Sequence, residues 1–176
     1  IRNCDWSSDV CSSDLVADVP PDFIRPLSAV GGTLFFTSGN SSSSGGSSLW
    51  KTDGVTTSRV ASFPGSIGLG GNTWTGVASL GNTFFFSAND GSSGNELWKS
   101  DGITTSRVAD INPGSGSSNP KYLTAVGGSL FFTTSPSFSG GGELWKTDGI
   151  TTSRVADVRP DFIRPLSAVG GTLFFT

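Results

Sequence analysis

The chain repeats itself, and a repeat of fixed length constrains the fold more than any other feature of this sequence. The string LWKTDGVTTSRV begins at Leu49, LWKSDGITTSRV at Leu97 and LWKTDGITTSRV at Leu144. Trp50, Trp98 and Trp145 therefore stand 48 and 47 residues apart. A second motif interleaves with the first: LSAVGGTLFFT from Leu27, VASLGNTFFFS from Val77, LTAVGGSLFFT from Leu123 and LSAVGGTLFFT again from Leu166. Units of this kind bury their apolar faces against one another, so the core is built between repeats.

Each unit reads as strands and tight turns. Gly31-Gly32, Gly81-Asn82, Gly127-Gly128 and Gly170-Gly171 sit between two β-rich runs, where residues free to take positive φ make a hairpin. Asp53-Gly54, Asp101-Gly102 and Asp148-Gly149 give a second turn of the same kind. The spacing predicts four strands per unit, in the third unit near Thr104–Asp110, Lys121–Val126, Ser129–Thr134 and Glu143–Thr147. Few helix formers and many Thr, Val, Ile and Phe residues support an all-β chain. A repeated four-stranded unit of this length predicts a partial β-propeller of antiparallel blades: three full units, about 16–56, 57–103 and 104–150, and three further strands in a partial unit 151–176. The double Phe fits a strand covered on both faces. A β-solenoid, with strands stacked along one axis, is the competing architecture.

Glu96-Leu97-Trp98-Lys99-Ser100-Asp101-Gly102 and Glu143-Leu144-Trp145-Lys146-Thr147-Asp148-Gly149, with VADINPG from Val108 and LTAVGGSLFF from Leu123, resemble the bacterial ELWxxDGT repeat family. The resemblance runs from Val16 to Thr176. It implies a propeller-like repeat domain of a secreted or cell-surface bacterial protein, although no signal peptide is visible in the sequence. The chain departs from the pattern at Ser48, where Glu is expected, and at Val55, Ile103 and Ile150, where Thr follows Asp-Gly.

The two ends carry their own signals. Residues 16–37 and 155–176 differ only at Pro20 against Arg159. Residues 1–15 match nothing that follows. Trp6 to Leu15 back-translates as TGG AGT TCA GAC GTG TGC TCT TCC GAT CT, which resembles a short-read sequencing adapter, and Asp5 extends the match. These residues are expected to be an artefact outside the fold. That reading removes Cys4 and Cys11, the only cysteines, as a disulfide or metal half-site, and brings the net charge from −3 to −1. The expectation is a slice of a longer propeller, able to self-associate through open blade edges.

Composition excludes several functions. A chain with a net charge of −3 lacks the electrostatic face of a nucleic-acid binder. No apolar run reaches a membrane span of ~20 residues. With no His, neither a Ser-His-Asp triad nor a His-based metal site can be built within the chain. Asp53, Asp101, Asp148, Glu96 and Glu143 could form carboxylate pairs for glycoside chemistry. They recur with the architecture, however, and turn formation accounts for the aspartates. Lys51, Lys99 and Lys146 pair by position with Arg59, Arg107 and Arg154 across the Asp-Gly hairpin, either as a basic ring for an acidic glycan or as a solvated face. Asn89, Asp90, Asn95 and Glu96 on a Gly-rich loop could ligate Ca²⁺, but a surface loop is the simpler reading. Trp74, Tyr122 and Phe138 are aromatics outside the repeated core positions, suited to packing or to stacking on a sugar.

No catalytic, cofactor-binding or metal residue is therefore assigned. The sequence reads as a non-enzymatic repeat scaffold whose loops bind an unidentified protein or glycan. The alternative is a slice of a carbohydrate-active propeller enzyme with its catalytic residues elsewhere.

Overall fold

The structure is a computed structural model, and it describes residues 24–39, 46–67, 76–135, 142–155 and 167–174. The opening stretch with Cys4 and Cys11 lies outside these residues, as do Trp74 and Phe138. Among the described residues there is no helix. The first sheet is β1 (Ile24–Val30), β2 (Thr33–Gly39), β3 (Ser47–Thr52) and β4 (Thr57–Phe63). The second is β5 (Val77–Leu80), β6 (Thr83–Asn89), β7 (Asn95–Ser100) and β8 (Thr105–Arg107). The third is β9 (Lys121–Val126), β10 (Ser129–Thr134), β11 (Glu143–Thr147) and β12 (Thr152–Arg154). A hairpin, β13 (Ser167–Val169) and β14 (Thr172–Phe174), follows. Each sheet is an antiparallel meander in chain order.

The Gly-Gly turns are two-residue hairpins: Val30 pairs with Thr33 around Gly31 and Gly32, both at positive φ. The Asp-Gly turns differ from expectation. Thr52 pairs with Thr57, which leaves four residues in the turn, with only Gly54 at positive φ. Sheet membership also runs one strand out of phase with the units read from the repeat. The segment expected as a strand at Thr104–Asp110 supplies only β8, and β8 pairs with β7 of the preceding Trp strand. The Asp-Gly turn closes a local hairpin, so its two arms share a sheet.

Alternation along the middle strand explains the Phe runs. Phe84 and Phe86 face the first sheet with Phe35, Leu49, Phe63 and Ile67. Phe85 faces the third with Leu97, Leu130 and Phe132. Phe35 and Phe84 stack at 5.2 Å, and Phe63 meets Trp98 edge-on at 5.0 Å. The hairpin continues the series: Leu173 packs with Leu144, Phe131, Tyr122 and Val155. In every sheet the Leu before the Trp faces the following sheet. Trp98 and Trp145 face the preceding one. The strand is thus apolar throughout because both of its faces are buried.

Candidate functional site

The Asp-Gly turns are three copies of one device. The Asp53 carboxylate accepts the N–H groups of Val55 and Thr56 at 2.9 and 2.6 Å, and the Thr56 hydroxyl at 3.1 Å. Asp101 and Asp148 repeat this with Ile103 and Thr104, and with Ile150 and Thr151. The backbone N–H groups of Thr56, Thr104 and Thr151 make the largest contribution to holding these carboxyls below their ordinary range. Carboxylates spent on their own turns are poor general acids. What the turns offer to solvent is apolar: Val55, Ile103 and Ile150 are 86%, 85% and 87% exposed.

The turns are set in a row by a joint between sheets. Phe35 and Lys51 are cross-strand partners in the first sheet, and both reach the turn of the second. A Cβ on Gly102 would lie 3.2 Å from the Phe35 ring and 3.3 Å from the Lys51 chain. Phe85 and Lys99 do the same for the third sheet. A Cβ on Gly149 would lie 3.3 Å from Phe85, and Lys99 Nζ donates to the Gly149 carbonyl at 2.6 Å. Gly54 has open space in that direction. The Lys–Arg pairing expected across the turn is not formed. Lys51, Lys99 and Lys146 oppose Ser58, Ser106 and Ser153, while Arg59, Arg107 and Arg154 oppose the Trp residues on the other face. Cross-strand partners share a face, so a one-residue offset puts Lys and Arg on opposite sides of the sheet.

These contacts predict a graded response to one substitution. Gly54→Ala carries only the strain of a left-handed residue, about 1 kcal/mol. Gly102→Ala and Gly149→Ala should each cost about 2 kcal/mol more, because the new methyl overpacks a buried ring. Urea unfolding of the three variants checks this ordering.

The position before Leu-Trp is solved differently in each sheet. Glu96 is fully buried and accepts the Ser118 N–H at 2.8 Å, the Ser118 hydroxyl at 2.7 Å and the Ile111 N–H at 3.2 Å. It pins the segment from Ile111 to Ser118 to the sheet edge. Burial pushes its pKa up more than these bonds lower it. Glu143 instead bridges Arg154 at 2.8 Å and the Trp145 indole N–H at 3.2 Å. Ser48 faces Ser62 at 3.4 Å, and Trp50 donates to Ser38 at 2.9 Å. In the second sheet Ala88 replaces that serine, and among the described residues the Trp98 indole N–H has no hydrogen-bond partner. Among the described residues, Glu96 and Glu143 are thus committed to different partners.

The oxygens considered for Ca²⁺ are also engaged in hydrogen bonds of their own. Asp90 accepts the N–H groups of Ser92 and Ser93 and both of their hydroxyls, and the Ser93 N–H does most to hold its pKa far down. Asn89 accepts Gly91 N–H, Asn95 accepts the Ser87 hydroxyl, and Glu96 is committed to Ser118. Tyr122, in the left-handed region at φ 54°, packs into the third interface.

No protein-family model matches the chain, and comparison with curated proteins and with solved structures finds no similar protein. The residues themselves carry the functional reading. Sequence reasoning noted Val55, Ile103 and Ile150 only as departures from a repeat pattern. Their place at the turn tip, one residue beyond a glycine at positive φ, was the available signal of exposure.

Proposed function

We propose that this chain is a non-enzymatic binding scaffold, a β-propeller-like array that presents its Asp-Gly turn tips to a protein or glycan ligand. By resemblance it belongs on a bacterial surface or outside the cell. The propeller reading draws support from how the sheets meet. The extensive backbone approaches between sheets all involve a first strand: β1 to β5, β5 to β9, β9 to β13. Blades set around an axis meet in this way, whereas a solenoid would stack all four strand positions.

The exposure of Val55, Ile103 and Ile150 carries the binding reading. Three branched apolar side chains at the same point of three turns, each on a turn tightened by its own carboxylate, form a rigid repeated contact surface. The test compares the chain with a Val55→Ser, Ile103→Ser, Ile150→Ser variant on a panel of immobilised polysaccharides and bacterial surface proteins. The expected result is retention by the unaltered chain, loss of retention by the variant, and no loss of polymer mass. Cleavage of a polysaccharide would overturn the scaffold reading in favour of an enzyme. Equal retention of both chains would remove the turn tips as the binding surface.

A further inference from the structure

We propose that Glu96 is a two-position latch. In the position seen it holds the strap of residues 111–118 on the edge of the second sheet; in a second position it bonds Arg107 and Trp98 and releases the strap. The first observation is a pair of donors. Trp98 and Arg107 are cross-strand partners, so they share a face of the second sheet. The Trp98 indole N–H and Arg107 Nη1 are both buried, and among the described residues neither has a hydrogen-bond partner. Asp110 Oδ1 stands 3.6 Å from Arg107 Nη1, an ion-pair contact beyond hydrogen-bond reach. Buried donors without acceptors are costly, so this face favours any arrangement that brings them one.

The second observation is that the third sheet shows which group fits. Trp145 and Arg154 are the same cross-strand pair. Glu143 takes both donors, Arg154 Nη1 at 2.8 Å and the Trp145 indole at 3.2 Å. Glu96 stands two residues before Trp98 on β7, as Glu143 stands two residues before Trp145 on β11. Residues i and i+2 of a strand lie on one face, so the reach of Glu143 is open to Glu96 as well.

The bonds given up are partly replaced in place. The Ser118 N–H and hydroxyl each have the Asn95 carbonyl as another acceptor, at 3.1 and 3.4 Å. The Ile111 N–H has Glu96. Arg107 drawn to Glu96 also leaves Asp110, the neighbour of Ile111 in the chain. One swap of partners therefore frees the strap at residues 110–111. Its other end stays held, with the Asn95 N–H on the Ser117 hydroxyl and the Asn119 N–H on the Asn95 carbonyl. Ile111 packs against the cluster of Phe85 and Leu97, which favours the closed strap. A partner that displaces Ile111 from that cluster shifts the balance to the second position.

The test is amide and indole hydrogen exchange followed by NMR. In the unaltered chain the Ile111 amide should exchange through a local opening more frequent than the unfolding reported by the amides of β6. Ala88→Ser gives the Trp98 indole a fixed acceptor, as Ser38 does for Trp50 at 2.9 Å in the matching position opposite Ser48. It should slow Ile111 exchange about fivefold, the worth of one hydrogen bond no longer gained on opening. Ser118→Ala removes a bond of the closed position only. It should speed exchange at Ile111 and slow it at the Trp98 indole, two readouts moving in opposite directions. A Glu96 that merely props the strap would leave Ile111 exchange unaltered in Ala88→Ser, and that result would overturn the proposal. So would Ser118→Ala speeding both sites together, or an Ile111 amide that exchanges only with the amides of β6.

Discussion

Phe84→Ala is expected to cost about 4 kcal/mol in urea unfolding, and Leu34→Ala about 1 kcal/mol or less. The two residues hold the same place in the repeat, at the start of the apolar run in β6 and β2. Phe84 is 0% exposed; it stacks on Phe35 at 5.2 Å and on Phe86 at 5.3 Å. Its removal leaves a cavity between two sheets whose backbones are held by their own ladders and cannot close over it. Leu34 is 39% exposed, so its truncation removes little buried surface. A large difference would establish that the second sheet is packed against the first through Phe84. Similar costs would mean that the two sheets do not meet through Phe35 and Phe84.

The elements were legible because their chemistry is local. Lys121–Val126, Ser129–Thr134 and Glu143–Thr147 were expected as strands and are β9, β10 and β11 with those bounds. Gly-Gly between β-rich runs dictates a two-residue hairpin, and the structure has it. The phase of the sheets was not legible in the same way. A strand lying between two turns can belong to either neighbour, and only the ladder from Trp98 to Arg107 decides. The roles of Lys51 and Lys99 were missed for a related reason. Their partners are glycines of the next sheet's turn, about 50 residues away, and no local pattern encodes that contact. Glu96 and Glu143 look alike in sequence, yet one is buried against Ser118 and the other bridges Arg154. What separates them is how the following segment packs on the sheet edge.

That difference sets the second large effect. Glu96→Ala is expected to lower stability by about 3 kcal/mol, because it orphans two buried N–H groups and a hydroxyl on the segment from Ile111 to Ser118. Glu143→Ala should cost less than about 1 kcal/mol, since its ion pair with Arg154 is solvent-exposed on both sides. The pH profile separates charge from shape. Burial raises the Glu96 pKa above its unfolded value, so the folded chain takes up that proton first as pH falls. Ionised Glu96 therefore subtracts from stability at neutral pH. The subtraction is relieved between the raised pKa and the ordinary glutamate value. The turn aspartates have the opposite sign: their lowered values contribute stability above the ordinary aspartate pKa, and that contribution is lost below it. Stability measured downward from pH 7 should rise or hold to about pH 4 and then fall. In Glu96→Gln the upper segment should flatten while the acid-side loss remains. An unchanged upper segment in that variant would show that Glu96 does not titrate in this range, and that its place is set by its hydrogen bonds from Ser118 and Ile111.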